Sequence, residues 1–475
     1  MTHERQVYLL DPQKIPPETI AVTFAKTSRS PESFRQIAAE LTDQKSAEFN
    51  EKWVVGYGHS SVAEHAVLHI AVENASRLAV ECIESNRLAS YTEKSTRYQT
   101  WSPDAFIIPD EWKDSPFLTD YLAVNTRCFD AYAQFIPTVL AAAEKQNPRI
   151  NSDTDASYRH RIRSLAVDVC RYLLPAGSLA NVGITINARA LEHAIGKMLS
   201  HPLNEVRQIG EEIKSAARAV VPTLLKYAEP IPYLKEMEAN FSSMPASKSA
   251  GNGIWFRLIS WDADAMNQLV AAAFFRYASN PKLSFSQSLE SVQAMNADAK
   301  QEKLRSMLTE RGKHIIPLRE LEHIQFKFEV TLDQGAYYEV KRHRMMTLTP
   351  RPLTAALGYG VPKLIDSAGL TKEYDSVMRM AAVTYSKLAQ VNHDAASYVV
   401  PNAYNRRFLI SINLRSAMHF IALRSASNAH FAIRRMAVKM ADEIEKAIPE
   451  LAGLLPRCSD ESVSSIESEY LHQNE

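Results

Sequence analysis

Apolar and polar positions alternate in "AVLHIAV", Ala66 to Val72, and in "IQFKFEV", Ile324 to Val330. A period of two sends successive side chains to opposite faces, so both stretches predict half-buried strands. Around the first strand the pattern turns helical. It predicts a short helical stretch at about 17–45, one or two strands around 62–74 and a helix around 75–87. A loop and strand follow through "SYTEKSTRYQTW" and "AFIIP", then long helices at about 116–145 and 157–172. Helical periodicity closes this part in "NARALEHAIGKMLSHPLNEVRQIGEEIKSAARAVVPTLL". The second part of the chain repeats the order, and the expected fold class is α+β.

The repetition reaches single residues. "VYLLDPQKIPPETIAVTFAKTSRSPESF" matches "FRLISWDADAMNQLVAAAFFRYASNPKLSF" in its apolar opening, helical middle and Pro-containing close. "AEHAVLHIAVENASRLAVECIESNRLAS" matches "LEHIQFKFEVTLDQGAYYEVKRHRMMTL", each led by a Glu-His pair. "LLPAGSLANVGITINARALEHAIGKML" matches "VVPNAYNRRFLISINLRSAMHFIALRS", aligning Pro175 with Pro401, Asn187-x-Arg189 with Asn413-x-Arg415 and His193 with His419. Three matches in the same order indicate a tandem duplication. "NFSSMPASKSAGNG", 240–253, is poor in large apolar groups and reads as a linker between repeats at 1–239 and 254–457. The polar segment from Cys458 to Glu475 reads as a frayed tail.

Composition narrows the function classes. Lys plus Arg and Asp plus Glu both total 54, so broad electrostatic binding to nucleic acid or an anionic membrane is not expected, and any basic site is local. The four cysteines form no CxxC pair, and no metal site is expected. No apolar run has membrane-spanning length, and the first residues show no secretory pattern, so a cytoplasmic location is expected.

Two stretches carry chemistry. "YYEVKRHRMMTLTPRPL" sets Arg342, His343 and Arg344 side by side, a costly crowd without an anion. "NRLASYTEKSTRY" holds Arg87, Ser90, Glu93, Ser95 and Arg97. In an extended segment Glu93, Ser95 and Arg97 share one face, offering an acceptor, a hydroxyl and a guanidinium to a polar planar ligand with a phosphate. A plain half-exposed strand would show the same alternation.

These motifs resemble the flavin-dependent thymidylate synthases, whose signature is Arg-His-Arg, seven residues, then Ser. Arg342-His343-Arg344 matches its start, but Pro352 stands where Ser belongs; the first repeat has Ser85-Asn86-Arg87 instead, yet keeps Ser95. Ser90, Glu93, Ser95, Arg97 and Tyr98 match the family's Ser-x-x-Glu-x-Ser-x-Arg-Tyr, whereas Thr347, Pro350, Pro352, Thr354 and Ala355 do not. "GYGHSSVAEH" supplies His59, Ser61, Glu64 and His65 to the family's Gly-His-x-Ser-x-x-Glu-His pattern. Arg171 has Ser397 as its counterpart, and Arg424 is answered in the first repeat by Lys197. Each repeat keeps what the other has lost.

The resemblance implies two family domains, each a central antiparallel sheet with long helices, and no Rossmann domain. It implies FAD as cofactor, with NADPH and methylenetetrahydrofolate as co-substrates, for methylation of dUMP. Arg97, Arg171, Arg342 and Arg424 would hold the nucleotide. Ser95 would bind it more than attack it, and Ser95, Arg342 and Arg424 form the expected catalytic set, with Glu93 beside the substrate. His59, Ser61, Glu64, Arg87, Asn187, Arg189, His343, Arg344, Asn413 and Arg415 would border the flavin. Because the family works as four subunits with shared sites, a homodimer of tandem chains would rebuild that assembly. Its complete sites would join the first repeat's strand to the second repeat's corner, and the reciprocal sites would lack both.

Some residues depart from the pattern. The family's Gln three residues before Arg-His-Arg is Glu339 here and Cys82 in the first repeat, and a carboxylate beside a phosphate repels it unless protonated or re-aimed. His430 and Ala432 replace a Gln and a Glu, while Glu205 and Arg207 keep their match. Another nucleotide-like substrate or a non-catalytic scaffold are the alternatives these changes raise. His193 and His419 read as core or supporting histidines on helices, and Cys82 as a buried structural thiol.

Overall fold

The computed structural model describes residues 6, 8, 10–27, 30–56, 60–97, 99–151, 153–245, 253–310, 312, 315–458 and 460–472. Both repeats are α+β. In the first, β1 (Val67–Ser76), β2 (Ala89–Glu93) and β3 (Leu179–Asn187) form an antiparallel sheet in the order β1-β3-β2. In the second, β4 (Phe256–Trp261), β5 (Gln325–Asp333), β6 (Thr347–Pro350) and β7 (Asn405–Asn413) form an antiparallel sheet in the order β4-β5-β7-β6. The duplication shows in the register: Val67 pairs with Asn187 in one sheet and Gln325 with Asn413 in the other. β1 carries a bulge between Val72 and Ala75, where Asn74 takes φ 56°, a conformation asparagine tolerates better than most residues.

The expected long helices are Leu118–Gln146 and Asp155–Cys170, with Thr371–Ala389 as the second repeat's long helix. The stretch at 17–45 is not one helix: Pro17–Thr27, Phe34–Glu40 and Asp43–Asn50 are separate. Ser33 caps Phe34–Glu40 with a reciprocal box to Gln36, and Ser284 caps Phe285–Gln293 the same way with Gln287, so the first matched segments share a fold as well as a pattern. The helix at 75–87 runs only from Arg77 to Glu84, and "AFIIP" makes only a bridge from Phe106 to Ser178.

Helix Pro232–Ser242 takes the first residues of the expected linker, whose residues 246–252 lie outside the described set. The tail is also more ordered than its polarity suggests. Val463–Tyr470 is helical, Ile466 is fully buried, and Tyr470 stacks on Phe431 with ring centres 5.5 Å apart. Burial of two apolar side chains outweighs the fraying of a serine-rich segment.

The repeats join about their matched prolines. Pro175 and Pro401 face each other in an antiparallel bridge. Ala176 and Gly177 donate to the carbonyls of Val400 and Tyr398 at 2.9 and 2.8 Å, and Asn402 and Ala403 return bonds to Leu174 and Tyr172 at 3.0 Å each. A Cβ on Gly177 would lie 3.0 Å from the Tyr398 carbonyl oxygen, so this close approach requires glycine. Helices Leu118–Gln146 and Thr371–Ala389 pack together beside the seam, and one apolar core runs through both repeats.

Candidate functional site

Two short helices stand back to back at the seam: Arg77–Glu84, capped by Ser76, and Gln334–Val340, capped by Asp333. Glu81 pairs with Arg406 at 2.7 Å and accepts from Gln334 at 3.1 Å, while Glu84 pairs with Lys341 at 2.6 Å. Arg77 lies over the Tyr338 ring and Arg406 over Tyr337, 4.0 and 4.6 Å from the ring centres. Glu205 binds the Ser76 amide and hydroxyl and the Tyr398 hydroxyl, tying first-repeat helix to second-repeat turn. Buried pairs of this kind do little for net stability but fix geometry, because removing one partner strands a charge.

The first repeat's strand and the second repeat's Arg-His-Arg corner meet within one chain. Glu93, the last residue of β2, is buried between Arg77 at 3.0 Å and Arg342 at 3.8 Å. Beyond it the strand ends, and Thr96 and Arg97 lie in a turn. The period-two face expected for Glu93, Ser95 and Arg97 therefore does not exist. Instead the Ser95 hydroxyl accepts from the Arg97 amide at 3.2 Å, and Arg97 swings to grip Asp168 with two parallel contacts of 2.8 Å. Arg97 also donates to the Asn428 carbonyl of the second repeat at 3.1 Å. Tyr98 lies outside the described residues.

Glu339 closes the centre of this site. One of its oxygens accepts from Arg171 at 3.2 Å and the other from Arg424 at 3.0 Å. Burial alone would raise its pKa, but Arg171, Arg424 and Arg97 outweigh it and hold the carboxyl below its usual range. The carboxylate expected to repel a phosphate is re-aimed onto the two arginines expected to bind one. Arg424 also donates from Nε to His343 Nε2 at 2.9 Å, so that ring nitrogen is an acceptor and the imidazole is neutral. Burial and the Arg424 charge push His343 down to about 3. His430 is fully buried against Tyr172 and Phe431, and burial with the nearby Arg171 and Arg97 keeps it uncharged.

The residues expected to border flavin separate into groups. Ser61 and Glu64 lie on the 3-10 turn Ser60–His65, and Glu64 ion-pairs with Arg189. Arg415 makes the matching pair with Glu322 at 2.5 Å. Asn187 and Asn413 cap the helices Ala188–Leu199 and Leu414–Arg424 by accepting from Ala190 and Ser416 at 2.9 and 2.8 Å. These Asn-x-Arg matches thus have a local structural role in both repeats. Arg87 and Arg344 come together: Arg344 donates to the Arg87 carbonyl at 2.9 Å and Arg87 to Thr347 Oγ1 at 3.1 Å. Neither has a carboxylate partner among the described residues. His59 lies outside them.

Sequence reading missed Asp168, Asn428 and Thr96, whose hydroxyl accepts from Arg171 at 3.4 Å. Asp168 was within reach, because it precedes Arg171 by three positions on a helix, a spacing at which charges meet. His193 and His419 are exposed rather than packed in apolar stripes, with the His419 ring 5.7 Å from His343. Cys82 is half-buried at the edge of a cavity, and desolvation pushes its thiol up.

The reciprocal side of the pseudo-twofold is open. A cavity of about 520 Å³ is lined by Cys82, Ser85, Lys197, Pro350, Pro352 and Ser397, the counterparts of the residues above, and also by Arg87 and Arg344. Among the described residues no cluster of side chains could hold a metal ion, and no helix is long and apolar enough to cross a membrane.

Comparison with known proteins gives the class that this arrangement belongs to. The family model for the thymidylate synthase complementing protein matches twice, over residues 10–223 and 257–450. The chain is a tandem member of that family, which is the flavin-dependent thymidylate synthase family. It is 29% identical to a UPF0159 protein of Chlamydia muridarum, covering 88% of this chain and 82% of that one. A UPF0159 protein of Thermoplasma acidophilum is 27% identical over 88% and 89%. The flavin-dependent thymidylate synthase of Clostridium tetani is 28% identical over 45% of this chain and 83% of its own, a single repeat's worth. A solved structure of the Helicobacter pylori flavin-dependent thymidylate synthase, complexed with FAD and dUMP, is 19% identical with a TM-score of 0.31, covering 43% of this chain and 99% of that one.

Proposed function

We propose that the chain is an FAD-dependent enzyme that methylates dUMP to dTMP with methylenetetrahydrofolate and NADPH, at one composite site per chain. The observation that carries this reading is the meeting of Glu93 in the first repeat with Arg342 in the second, 3.8 Å apart. FAD, when bound and reduced by NADPH, would supply the electrons that convert the transferred methylene to methyl. The residues fit such a group, since Arg87 and Arg344 offer two guanidinium groups bonded only to uncharged oxygens, a donor set suited to a pyrophosphate. His343, neutral and wedged 4.7 Å from Phe420, presents an uncharged ring beside that pair. Arg342 and Arg97 orient the nucleotide anion, and Ser95 adds a hydroxyl. Glu93 holds Arg342 in place and fixes where the base can lie.

Glu339 favours a second reading within the same chemistry. With Arg171 and Arg424 already neutralised, a phosphate gains less from them, so the substrate is another nucleotide-like molecule that presents donors to Glu339. Release of tritium from C5-labelled dUMP, with FAD, NADPH and methylenetetrahydrofolate present, tests the first reading. Release supports methylation of dUMP. Flavin binding without release moves the assignment to the second. A homodimer of such chains, in the cytoplasm, completes the proposal.

A further inference from the structure

The tandem repeats give the groups of the composite site counterparts, and several of these differ in kind. Cys82 stands for Glu339, Ser397 for Arg171, and Pro350 and Pro352 for Glu93 and Ser95. Three charged groups and a hydroxyl-bearing turn have become a thiol, a hydroxyl and two rings. Arg171 and Arg424 of the composite site are already paired with Glu339, whereas the reciprocal side opens onto a cavity of about 520 Å³. That volume is in the range of small-molecule sites. A cavity left empty by simple loss of side chains would be lined by apolar groups.

The lining is instead a mixture of apolar wall and unspent charge. Leu78, Leu203, Leu348 and Leu353 form the wall. Lys341 and Arg406 are spoken for by Glu84 and Glu81, at 2.6 and 2.7 Å. Lys197 has no carboxylate partner among the described residues. Its ammonium donates to Ser85 Oγ at 2.5 Å, which uses one of three N–H donors. Burial lowers its pKa, with the Cys82 thiol opposing, so the amine is poorly solvated. Asp394, also in the lining, has no ion pair among the described residues and offers an acceptor. His201 is kept neutral by burial, at about 4, and so does not compete for an anion.

We propose that the reciprocal cavity is a second binding site, which takes a small organic anion with an apolar body and a hydroxyl or amine substituent. Its carboxylate or phosphate is held by Lys197 and Ser85, its body lies against the leucine wall, and its substituent donates to Asp394. Arg87, His343 and Arg344, assigned above to the cofactor, border the same cavity, so the two ligands are neighbours. The site is independent of the substrate of the composite site: it uses Lys197, Ser85 and Asp394, none of which serves there.

The test uses pyridoxal 5′-phosphate on the flavin-loaded full chain. The deprotonated fraction of Lys197, enlarged by its lowered pKa, adds its amine to the aldehyde and expels water, and borohydride then delivers hydride to the imine carbon, leaving a stable label. Peptide mapping locates it. One label per chain on Lys197 is expected, lost in Lys197→Met while flavin content and C5-tritium release stay unchanged. Either 4-hydroxyphenyl phosphate or 4-hydroxybenzoate protects at least about tenfold better than uncharged hydroquinone, as a charge-assisted contact requires. Protection by the first identifies a phosphate ligand, by the second a carboxylate. Labelling in Arg342→Ala equals wild type, even where that variant has lost turnover, which separates this site from the composite one. Label scattered over surface lysines, or equal protection by hydroquinone, overturns the proposal.

Discussion

Glu339 of the second repeat accepts a hydrogen bond from Arg171 of the first at 3.2 Å, and both side chains are buried. The carboxylate's other oxygen holds Arg424. The pair links the repeats at the point where the family resemblance places a nucleotide.

Glu339→Gln removes the counter-charge of two buried guanidinium groups. The free protein should lose stability by about 3–5 kcal/mol, as when one partner of a buried pair is removed. The same change leaves Arg171 and Arg424 able to bind an anion, so dUMP should stabilise the variant more than the wild type. Thermal melts with and without dUMP measure both effects. A variant as stable as wild type, with no gain from dUMP, contradicts the clamp.

Arg342→Ala and Glu93→Ala should each abolish turnover, though they lie in different repeats. The two residues meet within one chain, so mixing the two purified variants should restore nothing. Recovery of a substantial fraction of activity on mixing would place the site between chains.

Acid should weaken the fold as its buried histidines titrate, opposed in part by Asp333, whose carboxyl burial pushes up to about 6. His343 and His201 have folded pKa values pushed down to about 3 and about 4, so between these values and the ordinary 6.5 the unfolded chain takes up protons that the folded chain refuses. Their contribution is complete above about pH 6.5 and is lost as pH falls toward those folded values. Each histidine contributes a slope of roughly 1.4 kcal/mol per pH unit. His430, also held low by burial, adds in the same direction. Urea unfolding at several pH values between 7 and 4.5 should show stability falling with pH, and His343→Gln should reduce the slope by about one histidine's share.

Gly177→Ala should destabilise by about 1–3 kcal/mol, the usual cost of overpacking. The added methyl meets the Tyr398 carbonyl oxygen at 3.0 Å and the Tyr121 hydroxyl at 3.2 Å, and the carbonyl belongs to the seam. Chemical denaturation of the purified variant checks it. An unchanged midpoint would mean the seam gives way at no cost.

The duplication was legible because its marks are local. Matched prolines and Asn-x-Arg triplets are read from neighbouring residues, and they recur as the Pro175–Pro401 bridge and the paired helix caps of Asn187 and Asn413. Complementary loss between repeats pointed to Arg342 and Glu93 as partners, and they do approach. What sequence could not give was where long side chains aim. Arg97 was expected to share a face with Glu93, but the turn at Thr96 and Arg97 sends it to Asp168. Glu339 looked like an intruder on a phosphate site; its re-aiming depends on Arg171, 168 positions away. The tail was misread for a related reason, because Ile466 and Tyr470 find partners only in the folded second repeat.

The central claim is one composite site per chain, and flavin stoichiometry tests it most directly. The absorbance spectrum of the purified protein, after incubation with FAD and removal of the excess, gives flavin per chain. About one flavin per chain is the predicted result, since each chain has one corner that keeps His343 and Arg344 together. No bound flavin, or two per chain, would contradict the account.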